Sequence, residues 1–178
     1  MKSFLKVLSS RDIGVQMKLL PKATLALYLL ILLWLILFKL SFDLPSVLDH
    51  QARSFNIVPF AGFTQDSLRE IIDNFVVFIP LGLLLSVGFK QTTFWKKLAF
   101  VSTFSLTTEL VQFVLAIGVT DLTDVITNTS GGLIGLALYD LGKKYVNPQK
   151  LDQFIVVLGI VLLILFLLLR FLVLKVKY

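Results

Sequence analysis

TDLTDVITNTSGGLIG, residues 120–135, decides how this chain is read. Two aspartates, an asparagine and three glycines stand together in a sequence that is otherwise oily. Asp121, Asp124, Asn128, Gly131 and Gly135 fall at offsets of 0, 3, 7, 10 and 14 residues, which trace one face of an α-helix. One end of that face is acidic and the other is glycine. Gly131 and Gly135 form a small-xxx-small pair of the kind that lets a second helix come close. The stretch just upstream repeats the arrangement, because Ser102, Ser105, Glu109, Gln112 and Ala116 also share a face. A short turn around Gly118 and Val119 folds the two stretches into an antiparallel hairpin. That fold levels Glu109 with Asn128, and Gln112 with Val125. At about 1.5 Å of rise per residue, Glu109 and Asn128 then lie on the order of 12 Å below the outer end of the hairpin.

The rest of the composition explains what surrounds this stripe. Of 178 residues, 57% are hydrophobic and only 16% charged, with a mean hydropathy of +0.89. Soluble domains run closer to half apolar and a quarter charged, so the chain is a membrane protein. It has no cysteine and one histidine, His50. Disulfides, thiolate metal sites and cysteine nucleophiles are therefore excluded, and a zinc site lacks its usual partners. His50 reads as a surface loop residue, and no metal or cofactor is expected. The net charge of +6 comes from basic residues at the ends of apolar runs, which is a topogenic pattern rather than a nucleic-acid face.

A spanning helix needs about 20 mostly apolar residues, and five stretches qualify: residues 23–42, 71–89, 97–117, 122–141 and 154–174. The expected fold is an all-α polytopic membrane helix bundle, with residues 23–177 as a single membrane domain. Residues 1–22 form an amphipathic segment on the cytoplasmic surface, where its lysines and Arg11 meet anionic headgroups. The first and last spans are apolar on every side and face lipid. Lys39 and Arg170 near their ends can snorkel to phosphates. The middle three spans carry the polar residues and form the interior. Lys90, Lys96 and Lys97 in one loop, and Lys143, Lys144 and Lys150 in another, fall on the same side as the basic N-terminus. The positive-inside rule makes that side cytoplasmic. Lys175 and Lys177 oppose this assignment but are outvoted by the first helix and the two loops. The loop 43–66 is then outside, where it lies on the membrane surface or folds down over the bundle. Ser67 followed by Glu70 reads as a capping box that starts the second helix.

The polar stripe implies an outward-facing acidic pocket. A carboxylate within a span costs a few kcal/mol or more, so it faces the bundle interior or water and has a partner. The candidate ligand-binding residues are Glu109, Gln112, Asp121, Asp124, Asn128 and, from the second helix, Asn74. The plainer account is that Asn128, Gln112 and Ser105 are interhelical hydrogen-bond glue and that Asp121 is a helix N-cap. Pro80 and Gly82 are placed to loosen the second helix near mid-membrane.

At these residues the sequence resembles the VanZ-like family. FNIVPF at 55–60, DNFVVFIPLGLLL at 73–85 and TELVQFVLAIGVTDLTDVITNTSGGLIG at 108–135 carry the resemblance, which covers about residues 55–140. The family's motif positions are Asn56 and Pro59, then Asn74, Phe78, Pro80 and Gly82. They continue as Glu109, Gln112, Gly118, Asp121, Asp124, Asn128, Gly131 and Gly132. Many relatives carry an arginine near Gly118, and none stands here. Thr120 and Thr123 occupy positions where relatives often have an aromatic residue and a further acid. The resemblance implies a multi-pass cell-membrane protein of the Gram-positive type, linked through the family's namesake to low-level resistance to the lipoglycopeptide teicoplanin. It implies no reaction.

Three functions are compatible with these residues. The first is a membrane binding protein whose pocket engages an envelope lipid or lipoglycopeptide, with its tail between helices. The second is an enzyme acting on a lipid-linked envelope precursor with Glu109 or Asp124 as general base, although no metal-ligand or nucleophile arrangement accompanies those acids. The third is a proton-coupled carrier, which would need two intramembrane acids and usually an inverted repeat. No such repeat is visible. The partners expected are the lipid bilayer and that amphiphile, not nucleic acid. Oligomeric state is not legible.

Overall fold

A computed structural model of the chain describes residues 2–38, 54–56, 58–60, 64–116 and 119–177, with side chains described from residue 19 to 169 apart from 38, 54, 55, 66 and 119. Five long helices and a two-stranded sheet make up the described residues. They are α1 (Lys2–Phe38), β1 (Ser54–Asn56), α2 (Gln65–Gly88), α3 (Phe94–Leu115), β2 (Val119–Asp121), α4 (Leu122–Tyr145) and α5 (Pro148–Lys177). The fold is the expected all-α bundle with one short β addition. By length and apolarity, Leu19–Leu37, Ser67–Gly88, Phe94–Leu115 and Pro148–Leu169 can each cross a membrane. Helix α4 is as long as α2 but carries the polar stripe. It packs between α2 and α3, where its polar face meets protein rather than lipid.

Helix α1 runs from Lys2 through Pro21 into the first span. A proline inside a helix removes one backbone bond, and the Thr24 hydroxyl one turn later donates to the Leu20 carbonyl at 2.9 Å. Helix α2 begins at Gln65 instead of Ser67. Thr64 is its N-cap, with extended backbone and a hydroxyl that accepts from Ser67 N at 3.1 Å. Ser67 thus sits at the third helical position, answering the cap, and its own hydroxyl lies 2.8 Å from that of Thr64. Pro80 does not end α2, which runs on to Gly88.

Glycine sets how closely α2 and α4 approach. A Cβ on Gly131 would collide with the Phe75 carbonyl oxygen, and one on Gly135 with that of Ile79. From the other side Gly82 lies against the Gly132 carbonyl. The small-residue contact is therefore real, and its partner is α2. Around it lie Phe78, Leu81, Leu84, Val101 and Leu136, all fully buried. Tyr28 of α1 donates its hydroxyl to the Val77 carbonyl at 2.7 Å, which ties the first span to the same core.

Candidate functional site

The α3–α4 seam is polar along its length. Asn128 donates through Nδ2 to Ser105 Oγ at 3.0 Å, and Thr108 Oγ1 donates to the Ser105 carbonyl at 2.7 Å. Gln112 donates through Nε2 to the Ile36 carbonyl at 3.0 Å, linking α3 to α1. Glu109 accepts through Oε2 from Asp121 N at 3.1 Å, while its carbonyl accepts from Thr120 Oγ1 at 3.2 Å. Glu109, Gln112 and Asn128 are all buried to within 1%. The register differs from the symmetric hairpin by about one turn, since Asn128 meets Ser105 and not Glu109. The cause lies in the connection. Ala116 ends α3 in the left-handed region at φ 55°, and β2 then descends in extended form. A strand covers about 3.3 Å per residue against 1.5 Å for a helix, so α4 begins beside Glu109.

The long loop also reaches this end of the bundle. Strand β1 pairs in parallel with β2, with Ser54 opposite Val119, Phe55 opposite Thr120 and Asn56 opposite Asp121. Asn56 donates through Nδ2 to Asp121 Oδ2 at 3.0 Å, and Phe60 N donates to Thr123 Oγ1 at 3.0 Å. Of the two places the sequence allowed for this loop, the described part takes the second and folds onto the bundle. Asp121 is the N-cap of α4, accepting from Thr123 N at 2.7 Å. Between these groups and α2 is a half-open cleft of about 50 Å³. Asp121, Thr123 and Asp124 form one wall, Ser67, Glu70 and Ile71 the other, and Phe60 the rim. Three carboxylates therefore share one small opening. The N-terminal pole of α4 offsets part of the charge of Asp121 and Asp124.

The six candidate residues divide accordingly. Asp121 and Asp124 line the cleft. Glu109, Gln112 and Asn128 sit behind it between helices, and Asn74 is half-buried on α2, one turn beyond Glu70 and outside the lining. Among the described residues, no group of three Asp, Glu or His side chains is placed to hold a metal ion. His50, Lys39 and the Arg170 side chain lie outside the described residues.

Residues 25–143 match VanZ/LLP1. The chain belongs to the VanZ/LLP1 family. It is 52% identical over 153 residues to Protein VanZ of Enterococcus faecium, covering 86% of this chain and 94% of that one. No solved structure matches. The VanZ/LLP1 match takes in most of the spanning part of α1 and nearly all of α4, so seam and cleft both fall within it.

Four participants escaped sequence reasoning as site residues: Asn56, Phe60, Glu70 and Thr123. Asn56 had a signal, since it stood in the motif before the second helix. Glu70 was legible only as the second member of a capping box with Ser67. Phe60 and Thr123 meet across 63 residues of sequence, which no local pattern reveals. Thr120 and Thr123, read as departures from the family pattern, each supply a hydroxyl that ties the connection down.

Proposed function

We propose that this VanZ/LLP1 protein is a membrane binding protein whose cleft receives the cationic or hydrogen-bond-donating head of an envelope amphiphile or lipoglycopeptide, and that it contributes to teicoplanin-type resistance. The observation that carries the reading is the gathering of Glu70, Asp121 and Asp124 on one cleft. Asp124 comes from α4, Asp121 from its N-cap and Glu70 from α2, so chain folding had to bring them together. A cleft of about 50 Å³ holds a few waters or one ammonium-sized group, so the ligand's bulk stays outside. Leu68, Ile72 and Leu122, exposed and adjacent in sequence to lining residues, offer its tail an apolar surface continuous with lipid. Asp124 and Glu70 are the contact acids in this reading. Glu109, Gln112, Asn128 and Asn74 form the supporting framework, with Asp121 shared between cap and cleft. Asn128 Oδ1 and Gln112 Oε1 are buried and accept no hydrogen bond from the described residues. Such acceptors cost about 1–3 kcal/mol each, more than interhelical glue alone returns. The cleft faces outward and the N-terminus is cytoplasmic, because the lysines collect at the opposite end. Teicoplanin susceptibility of cells expressing equal amounts of wild type, Asp124→Asn and Glu70→Gln tests the reading. Loss of resistance with unchanged accumulation and melting supports it, and unchanged resistance with both charges removed refutes it.

A further inference from the structure

Lys97 has no place in the mechanism above and is poorly accounted for by packing. It lies in the first turn of α3 and is only 8% exposed. The seam explains its burial. Ser105 meets Asn128, and one turn along Val101 lies against Gly132. A further turn brings Lys97 to the Leu136–Asp140 part of α4, with Asp140 and Lys143 as its charged neighbours. Among the described residues at this end, both acids are already engaged. Asp140 pairs with Lys143 at 2.6 Å, and Asp152 takes Lys90 and the Tyr139 hydroxyl. Among the described residues, the Lys97 ammonium makes no hydrogen bond or ion pair.

The helix start around it is equally unanswered. Thr93 is the N-cap of α3 but makes no side-chain capping bond, and the first turn holds no acid. A lysine there opposes the helix dipole, whose positive pole favours anions. A lysine buried along its stem, a second lysine alongside and a helix N-terminus without a side-chain cap together favour an anion. The depth suits a lipid phosphate. One span ends at Gly88 and the next begins at Phe94, and Phe89, Trp95 and Phe100 are exposed there like residues of an interfacial aromatic belt. We infer that Lys97, Lys143 and the N-terminus of α3 bind the phosphate of an anionic phospholipid in the leaflet next to this end of the bundle.

Native mass spectrometry of the full chain, released from detergent with either phosphatidylglycerol or phosphatidylcholine added, tests this. The expected result is one phosphatidylglycerol retained per chain. Lys97→Gln should lower that retention about fivefold or more, while Lys150→Gln, an exposed lysine at the same end, should not. Melting temperatures separate the sources of the anion. Phosphatidylglycerol should raise that of the wild type and not that of Lys97→Gln. If inorganic phosphate at equal concentration raises it as far, the site stands and its ligand is the free ion. Equal retention of the two lipids, or undiminished retention by Lys97→Gln, overturns the inference. So does a Lys97→Gln protein that melts lower than wild type without lipid and matches Asp140→Asn, because Lys97 would then be a counter-ion to Asp140.

Discussion

Replacing Gly135 by leucine tests the helix crossing on which both site and seam depend. A Cβ at this position would run into the Ile79 carbonyl and lie 3.0 Å from Gly82 Cα. Both obstacles are backbone, so neither can rotate away, and α2 and α4 must part. Parting them opens the layer of Phe78, Leu81 and Leu136, each 0% exposed. Overpacking costs about 1–3 kcal/mol, with larger values where backbone has to move, so ~3 kcal/mol is expected here. In a chain of this size each kcal/mol moves Tm by about 2–4 °C, which gives a fall of roughly 6–12 °C. Two controls should stay within about 1 kcal/mol of wild type. A Cβ on Gly142 meets only the Leu151 side chain, at 3.2 Å, and Leu138 is 48% exposed. Thermal unfolding of Gly135→Leu, Gly142→Ala and Leu138→Ala in one detergent gives the comparison. If Gly135→Leu melts with the wild type, the α2–α4 contact is not tight and the reasoning from glycine fails.

Other outcomes follow from particular bonds. Glu109→Gln keeps an oxygen for Asp121 N and removes a buried charge, so it should melt at or above wild type. Glu109→Leu strands that N–H and should cost about 1–3 kcal/mol by the same thermal measurement. Asn56→Ala removes a bond to a carboxylate and should cost about 1 kcal/mol. It should be markedly non-additive with Asp121→Asn in a double-mutant cycle, and simple additivity would deny the loop its hold on α4. For orientation, a cysteine at Ser54 should react with a membrane-impermeant thiol reagent in intact cells while one at Gln91 is protected, and the reverse pattern would invert the proposed topology.

The helices were legible because each apolar run is long enough to span and the stripes on α3 and α4 repeat at helical spacing. The close contact of Gly131 and Gly135 was legible for the same reason, though not its partner. A glycine pair says that a backbone comes near without saying whose. Register was lost at the turn. Spacing along two helices aligns them only if the connection is symmetric, and the extended run through Thr120 and Asp121 is not. The cleft was half legible. Asp121 and Asp124 lie on a periodic face, whereas Glu70, Phe60 and Asn56 reach it through pairings that depend on where the loop after α1 comes down. Asp121 read first as a cap and second as a candidate ligand-binding residue, and it caps Thr123 N while also lining the cleft.

The two seam helices treat charge in opposite ways, and that contrast separates residues that packing explains from those it does not. In α4, Asp121 and Asp124 stand at the N-terminal end and Lys143 and Lys144 in the last turn, so each charge agrees with the helix dipole. Their positions would be favourable without any ligand, and only the arrival of Glu70 from α2 makes the acidic end more than a well-capped helix. In α3 the order is reversed, with Lys97 in the first turn and Glu109 within the last two turns, so both charges oppose their own helix. Glu109 is compensated by its neighbour. Its carboxylate lies at the positive pole of α4 and accepts the N–H of the Asp121 cap, an interaction of the stronger, charge-assisted kind. Lys97 has no equivalent at the other end, since the C-terminal pole of α4 beside it is already answered by Lys143 and Lys144. Of the three charges buried on these two faces, Glu109 is answered by the cap of α4, Asp124 agrees with its own helix dipole, and Lys97 opposes its helix with no ion pair among the described residues.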